Sequence, residues 1–145
     1  MNTLRLFIAG IVTAFLMTFL SCSALSAKKP VFKHSIWVNK QEMFVADAGT
    51  MTITNTLTFG SGKSVKVGWD SYLPAHAAMY MNRDGSVDRI PASSSEYVHE
   101  GTWQFKKGIL TIKLEDGSEK VFEYRDGALI GGKDFDGSDL VYTRQ

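Results

Sequence analysis

The residues able to do chemistry are few and scattered. His34, His76 and His99 stand on separate segments, and zinc would need three or four ligands converging on one point. Isolated surface or rim histidines are the expectation, with no metal. Lys133-Asp134-Phe135-Asp136-Gly137-Ser138-Asp139 gathers three carboxylates of the kind a hard cation such as calcium takes. Its Gly comes too early for a calcium loop and no bidentate Glu follows, so a solvated turn is expected. Gly60-Ser61-Gly62-Lys63-Ser64 echoes a phosphate loop, but Leu57 occupies the place of the required earlier Gly. The context is also strand to strand, with no helix N-terminus to receive a phosphate, and no cofactor is implied. Asp47, Asp70, Glu96 and Glu100 could supply an acid and a base, yet nothing in their spacing selects two. No Ser sits in a strand-to-helix elbow. The chain therefore reads as a non-enzyme. What remains is aromatic: Trp37, Trp69, Tyr72, Tyr97, Trp103 and Phe105 are the candidate lining of a pocket for a small hydrophobic ligand. The competing role for the same rings is to fill the core of a small barrel.

One further group, Cys22, is the only thiol. Met1 to Arg5 is a short, weakly positive start, and Leu6 to Leu20 runs fifteen residues without a charge before the small residues Ser21 to Ala27. That run is short for a bilayer of roughly 30 Å and reads as a signal peptide. Phe19-Leu20-Ser21-Cys22 resembles a bacterial lipobox, which implies acylation of Cys22 by fatty acids such as palmitate after cleavage. With Cys22 acylated, no thiol nucleophile is left. Simple secretion, with cleavage after Ala24 or Ser26, is the alternative. Two or three acyl chains, at about 0.8 kcal/mol per buried methylene, would hold the protein on a membrane. By resemblance to sorted lipoproteins, Ser23 lacks the Asp that retains such proteins at the inner membrane. The expected address is thus the periplasmic side of the outer membrane, with a soluble secreted or periplasmic form as the alternative. The expected organisation is a signal peptide over 1–21, a tether over 22–30 and a β-barrel domain over 31–145.

Charge and composition limit the partners. The chain has 145 residues with 16 Lys+Arg and 15 Asp+Glu, and Arg5 is the only charge before Lys28, so the part beyond the leader carries 15 of each sign. A neutral chain has little field with which to gather phosphates, so nucleic acid is not an expected partner. Hydrophobic content of 44% against 21% charged excludes a disordered chain. A domain of roughly 120 residues buries about two thirds of its surface, enough for one core. The single Cys excludes a disulfide framework.

The elements that must position these residues follow from a period close to two. Met51 to Phe59 puts Met51, Ile53, Asn55, Leu57 and Phe59 on one face and threonines on the other. Glycines at 60 and 62 then turn the chain into Ser64 to Tyr72, which predicts a hairpin. Glu96 to Phe105, Ile109 to Leu114, Glu119 to Tyr124, Ala128 to Gly131 and Leu140 to Thr143 continue the alternation, punctuated by Lys107-Gly108, Asp116-Gly117 and Asp126-Gly127. Asp-Gly suits such turns because Gly takes positive φ without penalty. Asp84-Gly85 divides Met79 to Met81 from Val87 to Ile90, and Ile36 to Val45 supplies the first one or two strands. Leu73 to Tyr80 is the only stretch with any helical character, opened by Pro74. Ser93-Ser94-Ser95 reads as a loop. The expected fold is all-β: an antiparallel meander of about eight or nine strands closed into a small up-and-down barrel.

Glu100 to Ile112 (EGTWQFKKGILTI), the DG-punctuated hairpins after it and the terminal Leu140-Val141-Tyr142-Thr143-Arg144 resemble the lipocalin-like lipoproteins common in Bacteroidota. In lipocalins a Gly-x-Trp motif lies on the first strand; here Gly101-Thr102-Trp103 is mid-chain. The resemblance implies a cell-envelope binding module for a small hydrophobic ligand or an envelope partner. A protein-directed inhibitor or assembly accessory, acting through Leu73 to Met81 and Arg89 to Val98 as long connections, is the second expectation. A hydrolase comes last.

Overall fold

The computed structural model describes residues 30–145, and Val31–Gln145 form one compact unit. The signal peptide over 1–21, the lipidation site Cys22 and the tether up to residue 29 lie outside the described residues. Ten strands follow in order: β1 Ile36–Val45, β2 Gly49–Phe59, β3 Ser64–Leu73, β4 His76–Met81, β5 Val87–Ile90, β6 Ser93–Lys106, β7 Ile109–Leu114, β8 Glu119–Arg125, β9 Ala128–Lys133 and β10 Asp139–Arg144. Eight of them close an antiparallel barrel in the order β1-β2-β3-β6-β7-β8-β9-β10, while β4 and β5 make a separate two-stranded hairpin. This is the expected up-and-down barrel, with one hairpin added outside the wall. Closure is made by Trp37 opposite Arg144 and Val38 opposite Thr143, extended by the Gln145 amide donating to the Ile36 carbonyl at 3.0 Å. Closure is confined to the lower part of the wall: β1 beyond Val38 and β6 before Gly101 are paired on one side only.

The turns explain why the meander forms. Lys107-Gly108 and Asp126-Gly127 have positive φ at both residues, the two-residue geometry whose twist matches that of the flanking strands. The other Asp-Gly turns are built differently. In Asp84-Gly85-Ser86, Asp116-Gly117-Ser118 and Asp136-Gly137-Ser138 only the Gly is at positive φ, and each Asp Oδ1 accepts from both the amide and the hydroxyl of its Ser. The Gly amides donate back to the carbonyls of Asn82, Leu114 and Asp134 at 3.0 Å. One three-residue solution therefore serves three hairpins.

Two segments differ from the sequence reading. Leu73 to Tyr80 forms no helical turn: Leu73 ends β3, and β4 begins at His76, paired with Ile90. Ser93-Ser94-Ser95 is no loop but the start of β6, opposite Leu73, Tyr72 and Ser71. Serine has little intrinsic strand preference, but the free backbone groups at the end of β3 need partners, and β6 supplies them. Leu73 to Met81 and Arg89 to Val98 are consequently mostly strand.

Strand length divides the barrel in two. β1, β2, β3 and β6 have 10, 11, 10 and 14 residues, whereas β7, β8, β9 and β10 have 6, 7, 6 and 6. The core lies where both halves overlap and comprises Phe32, Trp37, Leu57, Phe59, Val65, Leu110, Ile112, Leu114, Phe122, Leu129 and Tyr142. Phe32, which precedes β1, inserts as a plug, with its ring centroid 5.1–6.4 Å from those of Trp37, Phe59, Trp103, Phe105 and Tyr124. Ser35 fixes the plug: its hydroxyl donates to the Phe32 carbonyl and accepts from the Trp37 indole at 2.9 Å. The Phe59 amide donates to the Ser35 carbonyl at 2.9 Å. Two glycines are required by close approach. A Cβ on Gly131 would sit 2.5 Å from the Phe122 ring, and one on Gly101 would meet the Lys113 carbonyl.

Candidate functional site

Above the plugged end, the concave face of the long half-sheet stands over the shorter strands as an open wall. Cross-strand register sets its rows. Trp37, Leu57, Val67 and His99 lie side by side, then Asn39, Asn55, Trp69 and Tyr97, then Gln41, Ile53, Ser71 and Ser95. All occupy odd positions, which point inward on these strands because successive side chains alternate. From the facing strands, Lys120 and Tyr142 complete a cavity of about 260 Å³ lined also by Asn55, Leu57, Val67, Trp69, Tyr97 and His99. A second lobe of about 330 Å³ shares Asn55, Lys120 and Tyr142 and runs toward Phe122, Gly131 and Leu140. Both spaces therefore border the same three side chains. An eight-stranded barrel has room for side chains or for one small ligand; here side chains fill the plugged end, while free space remains at the mouth.

The walls differ in chemistry. Trp69 and Tyr97 pack with centroids 5.4 Å apart and planes tilted by 36°, an aromatic shelf that leaves Tyr97 60% exposed. Beside it runs an amide ladder. Asn55 Nδ2 donates to Asn39 Oδ1 at 3.2 Å and Gln41 Oε1 at 3.3 Å, and Asn39 Nδ2 donates to the Val141 carbonyl at 3.0 Å. Tyr142 lies at the base, and burial pushes its phenol up to about 12. It is therefore neutral at physiological pH and keeps a hydrogen to donate. Lys120 stands at the front of the cavity.

The six aromatic candidates separate into three groups. Trp69 and Tyr97 line the mouth. Trp37, Trp103 and Phe105 pack in or against the plugged core. The Trp103 indole nitrogen is buried without a hydrogen-bond partner, and its ring meets Phe59 edge-on at 5.6 Å. Tyr72 occupies an even position of β3, opposite Thr52 and Ser94, and faces outward, 49% exposed. The residues that border both lobes, Asn55, Lys120 and Tyr142, were not among the pocket residues expected from sequence. Two of them were visible as polar interruptions at inward-facing positions: Asn55 among Ile53 and Leu57, and Lys120 before Phe122 and Tyr124.

The other chemistry-bearing residues stay apart. Among the described residues no three His, Cys, Asp or Glu side chains converge as metal ligands. His34 is exposed at positive φ before β1, and His76 shares a hydrogen bond with the Pro74 carbonyl through Nδ1 at 3.1 Å. In the acidic segment each carboxylate is used locally: Asp134 by the Phe135 amide, Asp136 by Ser138 and Asp139 by Lys133 Nζ at 2.6 Å. The Ser138 hydroxyl and amide hold the Asp136 carboxyl below its usual range, and Lys133 does the same for Asp139. Asp70 and Glu96 face each other across β3 and β6, but on the barrel's outer surface and exposed. Glu100 pairs with Lys66 at 2.9 Å.

The fold defines a class: a closed eight-stranded antiparallel barrel with one end filled by aromatic packing, compatible with a lipocalin-like barrel. No protein-family model, curated protein or solved structure matches the chain.

Proposed function

We propose that the protein is a non-enzymatic binding module of the bacterial cell envelope whose barrel mouth receives a small, largely apolar ligand. The observation that carries this reading is the uneven filling of the barrel: aromatic packing closes one end, while an aromatic shelf and a neutral phenol surround free space at the other. Ligand sites combine apolar walls with a few placed polar groups, and the mouth has that composition. A lipocalin-like lipoprotein of the outer membrane, acylated at Cys22 and facing the periplasm, is the envelope form this reading favours. The compartment is tested by labelling with a radioactive fatty acid: the parent incorporates label and Cys22→Ala does not. The ligand is tested by denaturing the purified protein and analysing the released small molecules by mass spectrometry. A compound that co-purifies with the parent and is lost from Trp69→Leu supports the mouth; identical extracts from both count against it.

A second reading, a protein-directed inhibitor or assembly accessory, draws support from the β4–β5 hairpin. Tyr80 and Met81 are 70% and 68% exposed there, with Val87 and Ile90 beside them. An isolated two-stranded hairpin is marginal in water by itself, and exposed apolar surface of this kind is used for partners. A stable partner in pull-downs that is lost on Tyr80→Ser with Met81→Ser, the mouth being intact, would favour it.

A further inference from the structure

From the groups around the mouth we infer that its ligand is a small aromatic monocarboxylate, with the ring on the Trp69–Tyr97 shelf and the carboxylate at Lys120. This inference rests on the binding reading above and adds the charge and shape of the ligand. Lys120 shares the inward face of β8 with Phe122 and Tyr124, opposite Ile112 of β7. An alternating strand places apolar groups at such positions, and departures from that pattern concentrate where function requires them. Lys120 lines both lobes and makes no salt bridge among the described residues.

The acidic groups around it are committed elsewhere. Glu119 borders the second lobe but pairs with Lys113 at 3.6 Å. Asp116, in the β7–β8 turn, feels both His99 and Lys120, but its Oδ1 is held by the Ser118 amide and hydroxyl at 2.8 and 2.6 Å. Among the described residues no carboxylate lines the first lobe, whose polar side chains include Asn55, Thr56, His99, Lys120 and the Tyr142 phenol. One lysine balances one negative charge. The mouth lacks the arginine fork and the run of backbone amides with which phosphate is held, so a carboxylate is the matching anion. The aromatic shelf favours a planar body, because ring pairs gain beyond the area they bury. The volume of about 260 Å³ limits that body to one or two rings.

The test uses the purified protein freed of co-purifying material, titrated by calorimetry with 2-naphthoate and 2-naphthamide, and with octanoate and octanamide. NMR of the Trp69 indole resonance reports occupancy of the mouth. The expected result is that naphthoate binds about tenfold tighter than naphthamide, the size of one charge-assisted hydrogen bond, and tighter than octanoate. Lys120→Met is expected to abolish the acid-over-amide preference, weakening naphthoate about tenfold more than naphthamide. Equal affinity of acid and amide, both shifting the Trp69 signal, overturns the carboxylate inference and leaves the binding reading standing. Equal affinity of naphthoate and octanoate overturns the aromatic part. Failure of all four probes to move the Trp69 resonance overturns the mouth as a site and this inference with it.

Discussion

The plugged floor and the open mouth are built from the same alternating strands, yet they use their inward positions in opposite ways. At the floor, Phe32, Trp37, Phe59, Trp103, Phe105 and Tyr124 press together, and the buried polar atoms of Ser35 are consumed in holding the plug. At the mouth, Asn39, Gln41, Asn55, His99 and Lys120 occupy the equivalent face. Gln41, Asn55, His99 and Lys120 are not buried there, although Asn39, Ile53 and Ser71 are. On the proposed reading, stability and recognition fall at opposite ends of one interior. Close packing is worth roughly 1.5–3 kcal/mol per large side chain buried, whereas free space with aromatic walls is what a ligand can use.

The comparison can be broken by mutation. The largest effect is expected for Phe32→Ala, which removes the plug and costs about 3–5 kcal/mol by urea unfolding; a cost below about 1 kcal/mol would mean that the floor is not the stabilising end. Next comes pH, through Tyr142 at the boundary of the two regions. Its phenol titrates near 10.0 when unfolded and is pushed up to about 12 when folded. The neutral form is thus the one the fold favours, and the contribution is complete below pH 10 and lost as pH rises toward 12. The loss should approach roughly 2–3 kcal/mol, and Tyr142→Phe should flatten that alkaline limb. A smaller difference separates two floor tryptophans. Trp37→Phe breaks the indole bond to Ser35, whereas the Trp103 nitrogen has no partner to lose. Trp37→Phe should therefore cost about 1 kcal/mol more than Trp103→Phe in the same unfolding assay. The smallest effects belong to the mouth: Lys120→Met and Tyr97→Ser should each change stability by no more than about 0.5 kcal/mol. A larger loss there would make the mouth a structural region.

The hairpins were legible because their signals are local. Gly60 to Lys63, Lys107-Gly108 and Asp126-Gly127 turn the chain where the alternation breaks, and β7 runs over Ile109–Leu114 as the pattern indicates. Ser93 to Ser95 was not legible, since its strand character comes from pairing with Ser71 to Leu73 on β3 and not from its own side chains. The candidate site was half legible. Trp69 and Tyr97 stood out as aromatics, but nothing local distinguished them from Trp103 and Phe105, which have the same inward orientation and end in the packed floor.

The two-residue period and the turn residues were enough to determine an antiparallel meander with one buried face, because each acts over a few neighbouring positions. Which part of that face becomes floor and which becomes mouth was decided only in three dimensions. It depends on how far each strand extends past its partners around the closed barrel and on where Phe32 docks, and those are relations between residues distant in sequence.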